Sequence, residues 1–158
     1  THMQGGRDYG MDSALVTATT MHEDFTLLNA VSWQHWIAVS EVDYCDGLIY
    51  INLEDKSFEI TKRYYVTGNY SKYIKPGSKR IEAMTDDKNV HVTAFKNEKE
   101  IVLVIVNNSE EEKTFSLPWC NKEILVSVTD ENSNLKESII SAENVLLTPK
   151  SVTTVVIK

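Results

Sequence analysis

Six glycines, three prolines and two cysteines are few for a chain of 158 residues, and each scarcity excludes something. Without glycine in every third place the chain is no collagen-like polymer. Cys45 and Cys120 stand 75 positions apart, with none of the close spacing of a structural zinc site. They read as two free, partly buried thiols, with a single long-loop disulfide as the alternative. Cationic residues are also in deficit: 16 Lys and Arg face 23 Asp and Glu, a net charge of −7. Nucleic acid, whose phosphates demand clustered cations, is disfavoured as a partner, and so is an anionic membrane surface. Uncharged apolar runs such as Ile101–Val106 fall far short of the ~20 residues of a membrane span.

What is present is globular. Hydrophobic residues make up 42% and charged residues 25%, and a chain of this length buries roughly two thirds of its unfolded surface without a disulfide or metal staple. Thr1-His2-Met3 has the form of an expression-vector scar and is set aside, leaving residues 4 to 158. Cellular location is not readable from this sequence. Asn69-Tyr-Ser71 and Asn107-Asn-Ser109 match the N-glycosylation triplet, a pattern common by chance.

Two halves have different periods. Asp12 or Ser13 caps a predicted helix in which Ala14, Leu15, Ala18, Met21, His22, Phe25 and Leu28 recur at three- and four-residue spacing, with Glu23 and Asp24 on the wet face. Ala30–Val39 is rich in β-branched and aromatic residues and reads as a strand covered on both sides. A loop from Ser40 to Asp46 and a turn at Gly47 follow. Thr61 opens a second helix whose apolar stripe is Tyr65, Val66, Tyr70, Tyr73 and Ile74, stopped by Pro76-Gly77. From Ser78 the rhythm becomes short strands about every ten residues, predicted at Arg80–Thr85, Val90–Lys96, Ile101–Asn107, Lys113–Leu117, Ile124–Thr129, Leu135–Ile139 and Val152–Lys158. Within Val90–Lys96, Val90, Val92 and Ala94 share one face and His91, Thr93 and Phe95 the other. Evenly spaced strands with turn residues between them mark a β-sandwich. The fold class expected is therefore mainly β, with a domain boundary at residues 77/78.

Three segments in order carry a resemblance: Val31-Ser-Trp-Gln-His-Trp-Ile-Ala-Val-Ser40, Asp46-Gly-Leu-Ile49, and Thr61-Lys-Arg-Tyr-Tyr-Val-Thr-Gly-Asn-Tyr-Ser-Lys-Tyr-Ile-Lys-Pro-Gly77. Together they resemble the C-terminal portion of glycoside hydrolase family 30, which includes glucosylceramidase-like enzymes, xylanases and β-1,6-glucanases. Leu147–Val156 is similar to that family's last strand. The resemblance implies that residues 4–77 are the end of a (β/α)8 barrel (seventh helix, eighth strand, eighth helix) and that residues 78–158 are the accessory β-sandwich. It implies β-linked polysaccharides or oligosaccharides as ligands, no cofactor, and secretion or cell-surface display of the parent enzyme. The family's two catalytic glutamates end the fourth and seventh barrel strands, positions that precede residue 1. Bond cleavage is therefore not expected of this chain by itself.

Candidate binding residues lie on the Trp-x-x-Trp segment. An indole offers a flat partner for the C–H face of a sugar and an N–H for its hydroxyl. The resemblance gives Trp36 the place nearest the scissile sugar, with Trp33 as a second indole or as packing. Gln34 and His35 can add hydroxyl contacts, and Tyr44 is a rim candidate. Glu41 and Asp43, just past the strand, read as rim or structural acids. His22 and His91 stand alone in sequence and read as structural; no metal-ligand spacing and no glycine-rich phosphate loop occurs. Glu110-Glu-Glu112 reads as a charged turn guarding a strand edge. Lys72, Lys75, Lys79 and Arg80 form a modest basic patch suited to pairing with carboxylates. The alternative function is an autonomous carbohydrate-binding sandwich, for which Trp119 is the sole indole available.

A strand with two apolar faces and only part of its barrel leaves an unpartnered edge. The segment is therefore expected to be disordered, to self-associate through Val31–Val39, or to pair with a missing N-terminal barrel. Size-exclusion chromatography with light scattering checks this, since a well-ordered monomer that binds little hydrophobic dye contradicts it.

Overall fold

The computed structural model describes residues 5–118, 120, 122–141 and 143–158. Helix α1 (Met11–Thr26) comes first, followed by three short strands, β1 (Val39–Ser40), β2 (Ile49–Asn52) and β3 (Ser57–Ile60). Helix α2 (Lys62–Ser71) leads into β4 (Lys79–Ile81), β5 (Val90–Lys96), β6 (Ile101–Asn107) and β7 (Lys113–Ser116). The chain closes with β8 (Glu123–Thr129), β9 (Lys136–Ser141), β10 (Asn144–Leu147) and β11 (Ser151–Ile157). Six strands form an antiparallel sheet in the order β4-β5-β6-β11-β8-β9, and β7 pairs with β10. In the third sheet β1 runs parallel to β2, and β2 turns back antiparallel into β3.

The fold is mainly β, a sandwich preceded by a helix, short strands and a second helix, and its layers follow from side-chain alternation. Val102, Val104 and Val106 on β6, with Val152 and Val156 on β11, join a core completed by Met11, Ala14, Leu15, Ala18 and Met21 of α1 and Val66 and Tyr70 of α2. Leu103 and Ile105, with Val155 and Ile157, face the opposite way, onto Leu117, Val145 and Leu147 around the β7–β10 pair. Both faces of the central strands are thus dry, which is why Ile101–Val106 is an unbroken apolar run. On β5 the expected division holds: Val90, Val92 and Ala94 join the β7–β10 side, while Phe95 meets Phe25 of α1 edge-on at 5.4 Å.

Polar anchors fix the helices to the sheet. Asn69 is fully buried; its amide donates to Ser127 O (3.2 Å) and to Thr154 Oγ1 (3.0 Å), and the Thr154 hydroxyl donates back to Asn69 O. Asn107, equally buried, donates to carbonyls of Glu111, Leu147 and Thr148. Both glycosylation triplets therefore place their asparagine where no glycan fits. The Lys62 ammonium holds the β8–β9 loop through Asp130 O, Ser133 O and Asn134 Oδ1. Of the basic patch, Lys72 pairs with Glu137 at 2.8 Å as expected, while Lys75 donates to Lys72 O and Arg80 to Asn29 Oδ1; Lys150 pairs with Glu110 at 2.7 Å.

Several sequence expectations need correction. Helix α1 is capped by the Asp8 carboxylate, which accepts from the Gly10 and Ser13 amides, not by Asp12 or Ser13. It stops at Thr26 because Asn29 turns left-handed (φ 53°) and the Ala30 amide returns to Asp24 O, leaving Leu28 exposed. Ala30–Val39 is no doubly covered strand: only Val39–Ser40 pairs, and Val31 and Trp36 are exposed. The β2–β3 hairpin was not expected, although Ile49, Ile51, Phe58 and Ile60 share one face. The first sandwich strand is shorter than expected, and β10 was missed. Trp119 lies outside the described residues. Cys45 and Cys120 are free thiols.

His22 and His91, isolated in sequence, stack across the α1–β5 seam with ring centroids 5.0 Å apart, and His22 Nδ1 lies 2.8 Å from Thr93 Oγ1. Burial first, and the facing His91 second, hold the His22 imidazole below its ordinary range, against a pull upward from Glu23. The folded chain therefore takes a proton less readily than the unfolded chain. Stability should be full above the unfolded value of about 6.5 and decline as pH falls through the folded value. Urea midpoints measured near pH ~7.5 and pH ~5 check the sign. His91→Gln should reduce the difference, and an unchanged difference would contradict the assignment.

Candidate functional site

A cavity of about 650 Å³ opens between the outer flank of α1, the segment 33–36 and the loop before β2. Its position follows from local structure. The N-terminal segment is laid along the loop by the Gly6 amide, which donates to Asp43 O at 2.9 Å, and by a Gly5–Tyr44 bridge. Arg7 reinforces this with an ion pair to Asp43 at 2.7 Å, a hydrogen bond to Glu41 O, and its guanidinium 4.9 Å from the Tyr50 ring centre. Asp43 thus acts as a structural acid, whereas Glu41 contributes only its backbone carbonyl, and neither lines the cavity.

At the base of the cavity Arg63, from the first turn of α2, is only 3% exposed. It donates to Cys45 O, to Tyr50 Oη (3.2 Å) and to Asp8 O (3.5 Å). Tyr50, 1% exposed, accepts from the Asp46 and Gly47 amides at 3.1 Å each and donates to Tyr44 O. This knot explains Gly47, where an added Cβ would come within 3.0–3.1 Å of the Tyr50 ring and Ser40 Cβ.

The structure brings four of the five sequence candidates to this cavity: Trp33, Gln34, His35 and Trp36. Their roles separate by alternation. Trp33 packs against the helix core, and its indole N–H donates to Asp24 Oδ2 at 2.8 Å. His35 stacks beside it at 5.9 Å and donates from Nε2 to Asp46 O at 2.7 Å, because a carbonyl only accepts. Burial lowers the His35 pKa, against the Asp46 carbonyl, so the ring is neutral with Nδ1 left as an acceptor. Gln34 and Trp36, which line the same cavity, are exposed, Trp36 at 75%. Tyr44 is exposed but is not part of the cavity lining; its carbonyl, not its ring, belongs to the knot.

Residue-by-residue reading missed Asp24, Asp46, Tyr50 and Arg63. Asp46 and Arg63 sit inside quoted segments, Asp46-Gly-Leu-Ile49 and Thr61-Lys-Arg63, but nothing in one dimension says that they meet. Asp24 was assigned to the wet face because its indole partner lies beyond the helix end. The arrangement offers one exposed aromatic plate, a neutral imidazole, and buried carboxylate and guanidinium groups, a set suited to binding a polyhydroxylated ring. Among the described residues no group of three or more His, Cys, Asp and Glu side chains is placed to hold a metal ion.

Comparisons with known proteins agree with this architecture. A family model described as O-glycosyl hydrolase family 30 matches residues 1–50, and one described as the glycosyl hydrolase family 30 beta sandwich domain matches residues 77–155. Glucuronoxylanase XynC from Bacillus subtilis (strain 168) is 39% identical over 51 residues, 32% of this chain and 12% of that protein. A conserved exported protein from Bacteroides fragilis superposes with a TM-score of 0.83 and 28% identity, over 93% of this chain and 34% of that one. A glycoside hydrolase family 30 subfamily 8 xylanase from Clostridium acetobutylicum gives a TM-score of 0.77 and 26% identity, over 98% of this chain and 40% of that one. This chain thus spans well under half the length of each of these proteins.

If Trp33 is packing and Trp36 is display, their truncations should differ in stability. Trp33→Ala should cost about 2 kcal/mol, through lost packing and an orphaned Asp24 carboxylate. Trp36→Ala should change stability by less than about 0.5 kcal/mol. Urea unfolding of both variants checks the contrast.

Proposed function

Because the chain belongs to glycosyl hydrolase family 30, we propose that it is the C-terminal end of a retaining β-glycan hydrolase, supplying one wall of the sugar pocket and the accessory β-sandwich. The observation that carries this is Trp36, exposed at 75% on the rim of a cavity that also takes in Gln34, His35 and Trp33. An indole free on one face stacks against the axial C–H groups of a β-linked pyranose, and neighbouring polar groups take its hydroxyls. Trp33, already bonded to Asp24, holds the segment in place; Gln34 and His35 Nδ1 are the polar partners.

Retaining hydrolysis needs two carboxyl groups about 5–5.5 Å apart, one as nucleophile and one as general acid/base. In this reading both come from other strands of the barrel, and the cavity residues bind and orient. Xylan-type polymers are the substrate class favoured by the xylanases to which the chain is similar, and the parent enzyme acts outside the cell or at its surface. The alternative of an autonomous carbohydrate-binding sandwich gains nothing from the described residues. Among the described residues of the sandwich, which do not include Trp119, the exposed large apolar side chains are Met84, Ile139 and Leu146, none of them aromatic.

The test has two arms. The 158-residue chain should show no turnover of aryl β-xylosides or xylan, and measurable hydrolysis would refute the division of labour. In an enzyme carrying this region with its barrel, Trp36→Ala should lower kcat/KM by about 30-fold, the ~2 kcal/mol of a central indole contact. Trp119→Ala should leave it unchanged, and the reverse result would favour the binding-module reading.

A further inference from the structure

Tyr50 is buried and does not line the cavity, so its side chain touches no ligand seated there. Its hydroxyl nevertheless leads to the cavity through a chain of hydrogen bonds. Tyr50 Oη accepts from the Asp46 and Gly47 amides and donates to Tyr44 O, so one phenol grips the turn 44–47 from end to end. Arg63 grips the same turn from α2, its Nη2 donating to Tyr50 Oη at 3.2 Å and its Nη1 to Cys45 O. The Asp46 carbonyl carries this hold onward. It accepts from His35 Nε2 at 2.7 Å and from the Ile37 amide at 3.4 Å, and the Leu48 amide donates to Ile37 O at 3.1 Å. Strand pairing with β2 begins only at Val39. Residues 33–37 are therefore fixed by these bonds and by the Trp33–Asp24 bond rather than by a sheet.

The consequence falls on His35. A ring nitrogen that meets a carbonyl must carry the proton, so Asp46 O selects Nε2–H and leaves Nδ1 as the acceptor. A neutral imidazole without such a partner carries its proton on either nitrogen and presents donor and acceptor by turns. The stack on Trp33, with centroids 5.9 Å apart and planes 30° apart, sets the plane of the ring but treats its two edges alike. Among the described residues the Asp46 carbonyl is what tells the two nitrogens apart, and its position depends on the turn that Tyr50 and Arg63 hold. We propose that Tyr50, anchored by Arg63, is a positioning residue that fixes His35 as an Nε2–H imidazole and, through the same carbonyl, fixes the segment that displays Trp36. The relay needs no ligand; its effect on turnover rests on the sugar-pocket reading above.

Tyr50→Phe tests this, because it keeps the ring and removes the one atom at issue. In NMR spectra of the 15N-labelled 158-residue chain, His35 should show an Nε2–H resonance protected from exchange with water. Tyr50→Phe should lose that resonance, and so should Arg63→Met. Unchanged amide resonances in β5, β6 and β11 establish that each variant folds. A tyrosine that merely stabilises the fold would lower the urea midpoint and leave the His35 resonance protected. That result overturns the proposal, since the Trp33 stack alone would then orient the ring. In an enzyme carrying this region with its barrel, Tyr50→Phe should lower kcat/KM for an aryl β-xyloside about tenfold, within the range that a sub-ångström misplacement costs. Unchanged kcat/KM with His35 released would overturn the positioning role while Trp36 still carried the sugar-pocket reading. If instead Trp36→Ala were silent and the His35 resonance were lost in Tyr50→Phe, the sugar-pocket reading would fall and the relay would stand.

Discussion

Everything in this molecule hangs on the burial of β6 and β11 on both faces. A strand that is apolar on both sides needs two covers, and the chain supplies them from different parts of its length. The β7–β10 pair comes from the second half of the chain, β7 soon after β6 and β10 just before β11. The other cover is two helices from the first half, docked on Val102, Val104, Val106, Val152 and Val156. At ~25 cal/mol per Å2 of apolar surface removed from water, that contact is the main force fixing α1 and α2. Since α1 and α2 bracket the segment 27–61, the sheet also decides where the Trp-x-x-Trp segment lies.

The second constraint is polar. Arg63, Tyr50 and the loop 44–47 form a buried knot in which one guanidinium and one phenol serve carbonyls and amides that no regular structure satisfies. Loops seldom bury their backbone because its polar groups then need partners; here side chains from β2 and α2 provide them. The result is a rigid loop beside the cavity, with Cys45 and Asp46 held on its wall. Arg7 and Asp43 tie the same loop from outside, at an exposed position where an ion pair contributes little energy and mainly orients.

What could be read in advance followed from periodicity. Val90–Lys96 and Ile101–Asn107 were placed to the residue, the first by its alternation and the second by its unbroken apolar run, each bounded by Asn and Asp turns. The face assignment on Val90–Lys96 was right for the same reason. Ala30–Val39 was misread because β-branched and aromatic content says that residues are apolar, not what covers them. Trp33 is apolar for the helix, whereas Trp36 is turned to solvent, and a strand model merges the two. The β2–β3 hairpin was missed although Ile49, Ile51, Phe58 and Ile60 alternate, since its loop Leu53-Glu-Asp-Lys56 lacks glycine and instead relies on Lys56 at φ 60°.

By itself, then, the order of residues determined the class of fold, the β-rich second half, the two helices and the resemblance to a glycoside hydrolase. These depend on local patterns and on motifs written contiguously. Only the tertiary structure decided which tryptophan is bonded to a helix and which is displayed. It also decided that His22 faces His91 and that Asp46 and Arg63 both line the cavity. Those facts are distances between residues far apart in the chain, set by how two helices settle on a sheet, and no one-dimensional pattern encodes a distance.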